Sequence, residues 1–269
     1  MPDLPDNHDA WRIFRILAEF VDGFDALNPI GPAVSIFGSA RTHPDDPFYL
    51  AAQETAALLA KEKFAVITGG GPGIMEAANK GAYEAGGQSV GLNITLPREQ
   101  TINPYVKLSL DFHFFYARKV MFLKYASAFI YFPGGFGTLD ELSEALTLIQ
   151  TMKAEAFPVI LYGTKYWTGL VEWMRAQMIS RYIDVEDLDI FRIVDRPQDA
   201  VALVLESRKR LWWSPKDKEM AAMAAAQDRV PPVKETPLTS NPWSRKTGEG
   251  TRYGQRPRQT DLPQGKAGK

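Results

Sequence analysis

Ala128-Phe129-Ile130-Tyr131-Phe132-Pro133-Gly134-Gly135-Phe136-Gly137-Thr138-Leu139-Asp140-Glu141 decides the reading of this chain. Five consecutive apolar residues describe a strand buried on both faces, and the residues from Glu141 to Gln150 form a helical pattern. The three glycines between them let an anion approach bare backbone N–H groups at a helix start, where the dipole favours negative charge. Thr138 is expected to cap the helix and to offer its hydroxyl to a phosphate oxygen. Glu141 follows about one turn later. A phosphate cradle beside a carboxylate points to an enzyme acting on a phosphorylated small molecule.

The same pattern recurs upstream. A strand at Ala33–Phe37 leads into Gly38-Ser39-Ala40-Arg41, and one at 64–68 leads into Gly69-Gly70-Gly71-Pro72-Gly73. Further strands are expected at Ser89–Ile94, 158–162 and Phe191–Val194, with helices at Pro47–Lys61, 74–85, 117–125, 138–151, 166–179 and 197–210. Alternation of this kind, with continuous apolar strands, predicts an α/β fold: a Rossmann-like doubly wound parallel sheet with helices on both faces. All three glycine turns then share the carboxyl edge, where ligands bind. One such turn alone need be no more than a tight connection, but three together favour a nucleotide or sugar-phosphate pocket. Ser39, Gly70 and Gly71 therefore join Gly135, Phe136, Gly137 and Thr138 as candidate binding residues.

Residues 1–32 read as an N-terminal helical extension, with an amphipathic helix over 11–27 expected to pack on the domain or on a partner subunit. Residues 33–213 form the Rossmann-like catalytic domain. Residues 214–269 are expected to hold a short helix over 216–229 and a disordered basic tail, with eight Lys or Arg against three Asp or Glu from Val230 onward.

Composition narrows the function. The 269 residues are 45% apolar, with net charge −1, so no global field attracts nucleic acid or an anionic membrane. Without cysteine there is no thiolate nucleophile, and the three histidines (His8, His43, His113) share no metal-ligand spacing. No apolar run spans a membrane and no secretory signal opens the chain, so a cytoplasmic protein needing neither metal nor cofactor is expected. Gly73 is followed by Ile74-Met75, which excludes a Walker A loop, and Glu76 breaks a dinucleotide fingerprint.

Arg118 and Glu141 are expected to meet. The helix over 117–125 descends and the strand over 128–132 climbs back by a similar length, returning the chain to the edge where Arg118 began. An arginine at a helix start works against the dipole and is better explained by an anion or carboxylate. Lys119 by itself reads as a solvated lysine, and Asp140 and Glu144 as acids stabilised by the helix dipole.

Taken together, Gly69-Gly70-Gly71-Pro72-Gly73-Ile74-Met75-Glu76 and Pro133-Gly134-Gly135-Phe136-Gly137-Thr138-Leu139-Asp140-Glu141 resemble the LOG (Lonely Guy) family over residues 33–210. These are cytokinin riboside 5′-monophosphate phosphoribohydrolases, once labelled lysine decarboxylases. The helical extension and residues 96–115 look like the longer bacterial branch, whose members often behave as AMP nucleosidases. The resemblance implies hydrolysis of a purine nucleoside 5′-monophosphate to free base and ribose 5-phosphate, without cofactor. It makes Arg118 and Glu141 the catalytic pair, gives the phosphate to Gly135, Gly137 and Thr138, and places Lys119, Glu99 and Thr147 in the substrate pocket. It also implies a homodimer or higher homo-oligomer, and a base pocket shaped by residues 112–116. The rival reading is a nucleotide- or pterin-type carrier, which needs the glycine turns but neither Arg118 nor Glu141.

Overall fold

Continuous apolar runs belong in the middle of a covered sheet, and seven of the chain's segments form one. The computed structural model describes residues 8–95 and 101–214, so Glu99, the helix expected over 216–229 and the basic tail lie outside the described residues. The strands are β1 (Ala33–Phe37), β2 (Ala65–Thr68), β3 (Ser89–Ile94), β4 (Leu108–Phe112), β5 (Ala126–Tyr131), β6 (Val159–Tyr162) and β7 (Phe191–Val194). They pair in parallel in the order β4-β3-β2-β1-β5-β6-β7. Every residue of β1, β2, β3 and β6 is buried.

The helices are α1 (His8–Leu27), α2 (Pro47–Lys61), α3 (Ile74–Glu84), α4 (Phe115–Tyr125), α5 (Phe136–Gln150), α6 (Thr164–Gln177) and α7 (Pro197–Ser207). Alternate strand residues feed two cores. Phe37, Phe129 and Tyr131 pack with α4, α5 and α6, while Val34, Ile36, Ile130 and Phe132 pack with α2, α3 and α7. The second core depends on a close helix crossing: a Cβ added to Gly81 would stand 2.0 Å from the Gln53 carbonyl oxygen.

Strand order reverses between β1 and β5, where Phe37 lies beside Tyr131. The connections leaving these neighbours part there, opening a crevice at the carboxyl edge.

Some boundaries differ from expectation. β4 falls inside the segment read as an insertion; as an edge strand it alternates half-buried and exposed positions and ends buried at Phe112, so it lacks the continuous apolar signature. β5 spans Ala126–Tyr131 rather than 128–132. α4 and α5 each begin two residues earlier than expected, because Phe115 and Phe136 already have helical backbone. Gly135 is therefore the cap residue of α5, no side chain caps the helix, and Thr138 belongs to its first turn.

Candidate active site

Hydrogen bonds draw the three glycine turns together. Ser39 N–H donates to the Pro133 carbonyl at 3.0 Å, and the Ser39 carbonyl accepts from Ile74 N–H at 3.0 Å. Gly73 packs so closely on this strut that an added Cβ would stand 2.4 Å from the Ser39 carbonyl oxygen. The result is a cavity of about 830 Å³ whose wall includes Ser39, Arg118, Gly135, Phe136, Gly137, Thr138 and Glu141. Tyr166 reaches in from α6, its hydroxyl donating to the Gly134 carbonyl at 2.5 Å.

Gly135 and Gly137 have open space where a Cβ would stand, and Phe136 between them is 91% exposed. The amides of Thr138 and Leu139 close on the Gly135 carbonyl at 3.0 and 3.1 Å. The earlier amides, of Phe136 and Gly137, are donors that no helical carbonyl can reach, at the positive end of α5. Thr138 is buried with its hydroxyl against Gly134, where an added Cβ would stand 2.1 Å away. The arrangement can hold an anion with backbone alone.

Glu141 lies one turn further on and is 6% exposed. Burial pushes its carboxyl up to about 7; Arg118 and Lys119 pull it down, while Glu144 and Asp140 push it the same way as burial. Arg118 on α4 borders the same cavity. Burial lowers its pKa, opposed by the charges of Glu141 and Asp140, but a guanidinium stays protonated in any case. Its Nε–H has no hydrogen-bond acceptor among the described residues, and its guanidinium carbon lies 5.7 and 5.5 Å from the ring centres of Phe115 and Phe122. α1 fixes the start of α4: the Glu19 carboxylate accepts from His113 N–H at 2.8 Å and Phe114 N–H at 3.3 Å.

Other candidates are placed elsewhere. Lys119 is neither solvated nor on the cavity wall, because its Nζ sits 2.9 Å from the Asp140 carboxylate and 3.0 Å from that of Glu144. Burial opposes its charge, but those two hydrogen bonds, helped by Glu141, carry its pKa above the ordinary value. Thr147, exposed and nearly two turns along α5 from Glu141, donates its hydroxyl to the Ser143 carbonyl at 2.7 Å, off the cavity wall. Gly70 and Gly71 are buried, and their carbonyls both accept from Asn103 Nδ2 at 3.0 Å. Of residues 112–116, Phe112 is buried in the core and Phe115 reaches the cavity, 51% exposed.

A polar network escaped the sequence reading. Asn103 Nδ2 also donates to Asn79 Oδ1 at 2.9 Å; Asn79 accepts from the Thr68 hydroxyl at 2.6 Å and donates to Ser89 Oγ at 2.9 Å. The Thr68 hydroxyl accepts from Gly70 N–H at 2.9 Å. Single asparagines in helix and loop carry no pattern that marks them as buried struts.

Fold and site together define a Rossmann-like α/β protein with a backbone anion cradle, a buried carboxyl and a half-buried guanidinium at its switch point. The family model described as "Possible lysine decarboxylase" matches residues 75–204. An uncharacterized protein of Archaeoglobus fulgidus is 30% identical over 122 residues, covering 45% of this chain and 79% of that protein. The cytokinin riboside 5′-monophosphate phosphoribohydrolase of Mycobacterium marinum is 29% identical over 165 residues, covering 61% and 87%. Among solved structures, the molybdenum cofactor carrier protein of Chlamydomonas reinhardtii shares the fold with a TM-score of 0.50 at 24% identity, over 66% of this chain and 99% of that one. The chain belongs to the LOG family, whose model carries the lysine decarboxylase description. No helix among the described residues is long and apolar enough to cross a membrane.

Proposed function

We propose that this protein hydrolyses the N-glycosidic bond of a purine nucleoside 5′-monophosphate, AMP or a cytokinin riboside 5′-monophosphate, to free base and ribose 5-phosphate. One observation carries the reading: a buried carboxyl with its pKa near neutrality stands one helical turn from a backbone anion cradle, with Arg118 on the same cavity wall. The relative from Mycobacterium marinum bears the name of this activity.

The 5′-phosphate sits on the amides of Phe136 and Gly137, and Ser39 borders the same space. That remote contact fixes the ribose over Glu141. As the C1′–N bond breaks, positive charge grows on the sugar, as in glycosidases. The Glu141 carboxylate stabilises this charge and takes a proton from the attacking water, whose oxygen bonds to C1′. Arg118, with an Nε–H open to a new acceptor, steadies the electron pair that departs on the purine. The purine anion takes up a proton from solvent, and Glu141 returns the one it took from water to solvent, which restores the carboxylate.

The decarboxylase description finds no support in the cavity wall. Among the described residues, the cations bordering it are Arg41 and Arg118, neither able to form a Schiff base, and Lys119 is held by two carboxylates away from it. A non-catalytic carrier accounts for the cradle but leaves the cost of burying Glu141 unexplained. Incubating the purified protein with AMP and a panel of nucleoside monophosphates separates the two. Release of free base and ribose 5-phosphate supports hydrolysis; tight nucleotide binding without release from any substrate supports the carrier.

A further inference from the structure

α4 and α5 bring five charges together. Arg118 and Lys119 are consecutive on α4, and Asp140, Glu141 and Glu144 lie close together on α5. Consecutive helical residues point about 100° apart, so the two cations are sent in different directions. Arg118 borders the cavity, whereas Lys119 reaches α5 and sits 2.9 Å from the Asp140 carboxylate and 3.0 Å from that of Glu144. Its two partners flank Glu141 in the chain, and Asp140 shares the cavity wall with Glu141 and Arg118.

A fully exposed ion pair would be worth little. Lys119 is not exposed: its side chain keeps 17% of its surface, and the cluster includes the nearly buried Glu141. Screening is weak in such a place, so each uncompensated charge is felt by its neighbours. Coulomb's law then gives the signs. Asp140 and Glu144, left as free carboxylates, would resist ionisation of Glu141 and would attract the guanidinium of Arg118. Arg118 is open to such capture, since its Nε–H has no acceptor among the described residues and the charges of Glu141 and Asp140 act on it. Tyr131 of β5 supplies no charge, because burial keeps its hydroxyl protonated.

We propose that Lys119 is a positioning residue that never touches substrate: by holding Asp140 and Glu144, it keeps them from drawing Arg118 away from the cavity and from opposing the charge on Glu141. This role rests on the reading that Arg118 and Glu141 carry the hydrolysis. It gives the adjacent lysine a part that is neither solvation nor contact with the nucleotide. Arg118 and Glu141 are thereby left to the ligand although other charges crowd them. A lysine that only fastened α4 to α5 could not be replaced by deleting its partners as well. A lysine that occupies two troublesome acids becomes dispensable once they are neutral.

Base release from AMP and equilibrium AMP binding, followed across pH with the full-length protein, separate these roles. The parent's rate is expected to rise through about 7. Lys119→Met should move that midpoint up by about one pH unit and lower the high-pH plateau about tenfold, with AMP affinity little changed. Lys119→Met/Asp140→Asn/Glu144→Gln should return both to near the parent's values. Asp140→Asn/Glu144→Gln alone should place the midpoint below the parent's, and with the triple variant it decides the matter if Lys119→Met does not fold. A Lys119→Met profile parallel to the parent's, or a triple variant as impaired as Lys119→Met, would overturn the proposal. Carbon-13 NMR of the glutamate carboxyls gives the same midpoints without turnover, the Glu141 signal being the one absent from Glu141→Gln. A parent that releases no base while these midpoints shift as stated defeats the hydrolysis reading and leaves the charge role of Lys119 standing. Unmoved midpoints in an active enzyme defeat the charge role alone.

Discussion

In the turn after β2, Gly70 and Gly73 have φ of +74° and +68°, and Asn103 holds the carbonyls of Gly70 and Gly71. In the turn after β5, Gly135 has φ of −93°, and nothing lies within 4 Å of a Cβ added to it or to Gly137. Both turns carry three or more glycines on the same sheet edge. The first uses glycine to let backbone pack on backbone and to reach a left-handed conformation, so it is finished internally. The second uses glycine to leave backbone uncovered. Glycine content alone locates the edge, but the space around each Cα tells a strut from a cradle.

The widest separation between the two turns should come from chemistry. Glu141→Gln is expected to lower turnover about 10³-fold, about 4 kcal/mol, while nucleotide affinity persists, as read by base release and by equilibrium binding. Next in size, Gly73→Ala drives a Cβ toward the Ser39 carbonyl oxygen at a positive φ, and urea unfolding should register a loss of about 3 kcal/mol or more.

Third comes the pH dependence of Glu141. Between its ordinary 4.5 and the folded value of about 7, the folded protein holds the extra proton. Its stability is therefore fully present at low pH and declines as pH rises toward 7. At pH 8, Glu141→Gln should unfold with a free energy on the order of 3 kcal/mol above the parent's, a gap shrinking to about 1 kcal/mol near pH 5. Because catalysis needs the ionised carboxyl, parent activity should rise with pH through about 7, the opposite direction to its stability.

Smaller again, Asn103→Ala removes the donor shared by Gly70, Gly71 and Asn79 and should cost about 2 kcal/mol in urea, with KM little changed. The smallest effect sharpens the contrast most: Gly135→Ala should leave stability within ~0.5 kcal/mol but raise KM for AMP about tenfold, because its methyl group intrudes on the cradle.

Much of the architecture was legible in the chain. Interior strands such as 33–37 and 65–68 are apolar or small throughout, and that pattern has few interpretations. β4 was not legible, since Ser109 and Asp111 alternate outward on an edge. The meeting of Arg118 with the Glu141 edge followed from counting rise per residue, and both border one cavity. The partners of Lys119 could not be foreseen, because Asp140 and Glu144 lie across a helix-to-helix gap that no periodicity encodes. Thr138 stands inside α5 and not at its cap because helix starts slide by a residue or two where glycine leaves the backbone free.

Tyr131 adds a mechanical consequence. It is fully buried in mid-sheet, stacked on Phe37 with ring centres 5.0 Å apart, and its hydroxyl donates to the Glu141 carbonyl at 3.0 Å. The main chain beneath the carboxyl is thus bolted to the most protected part of the molecule, with no hinge between them. Such a centre has little freedom to soften ahead of its surroundings, so heat should abolish activity and tertiary structure at one temperature.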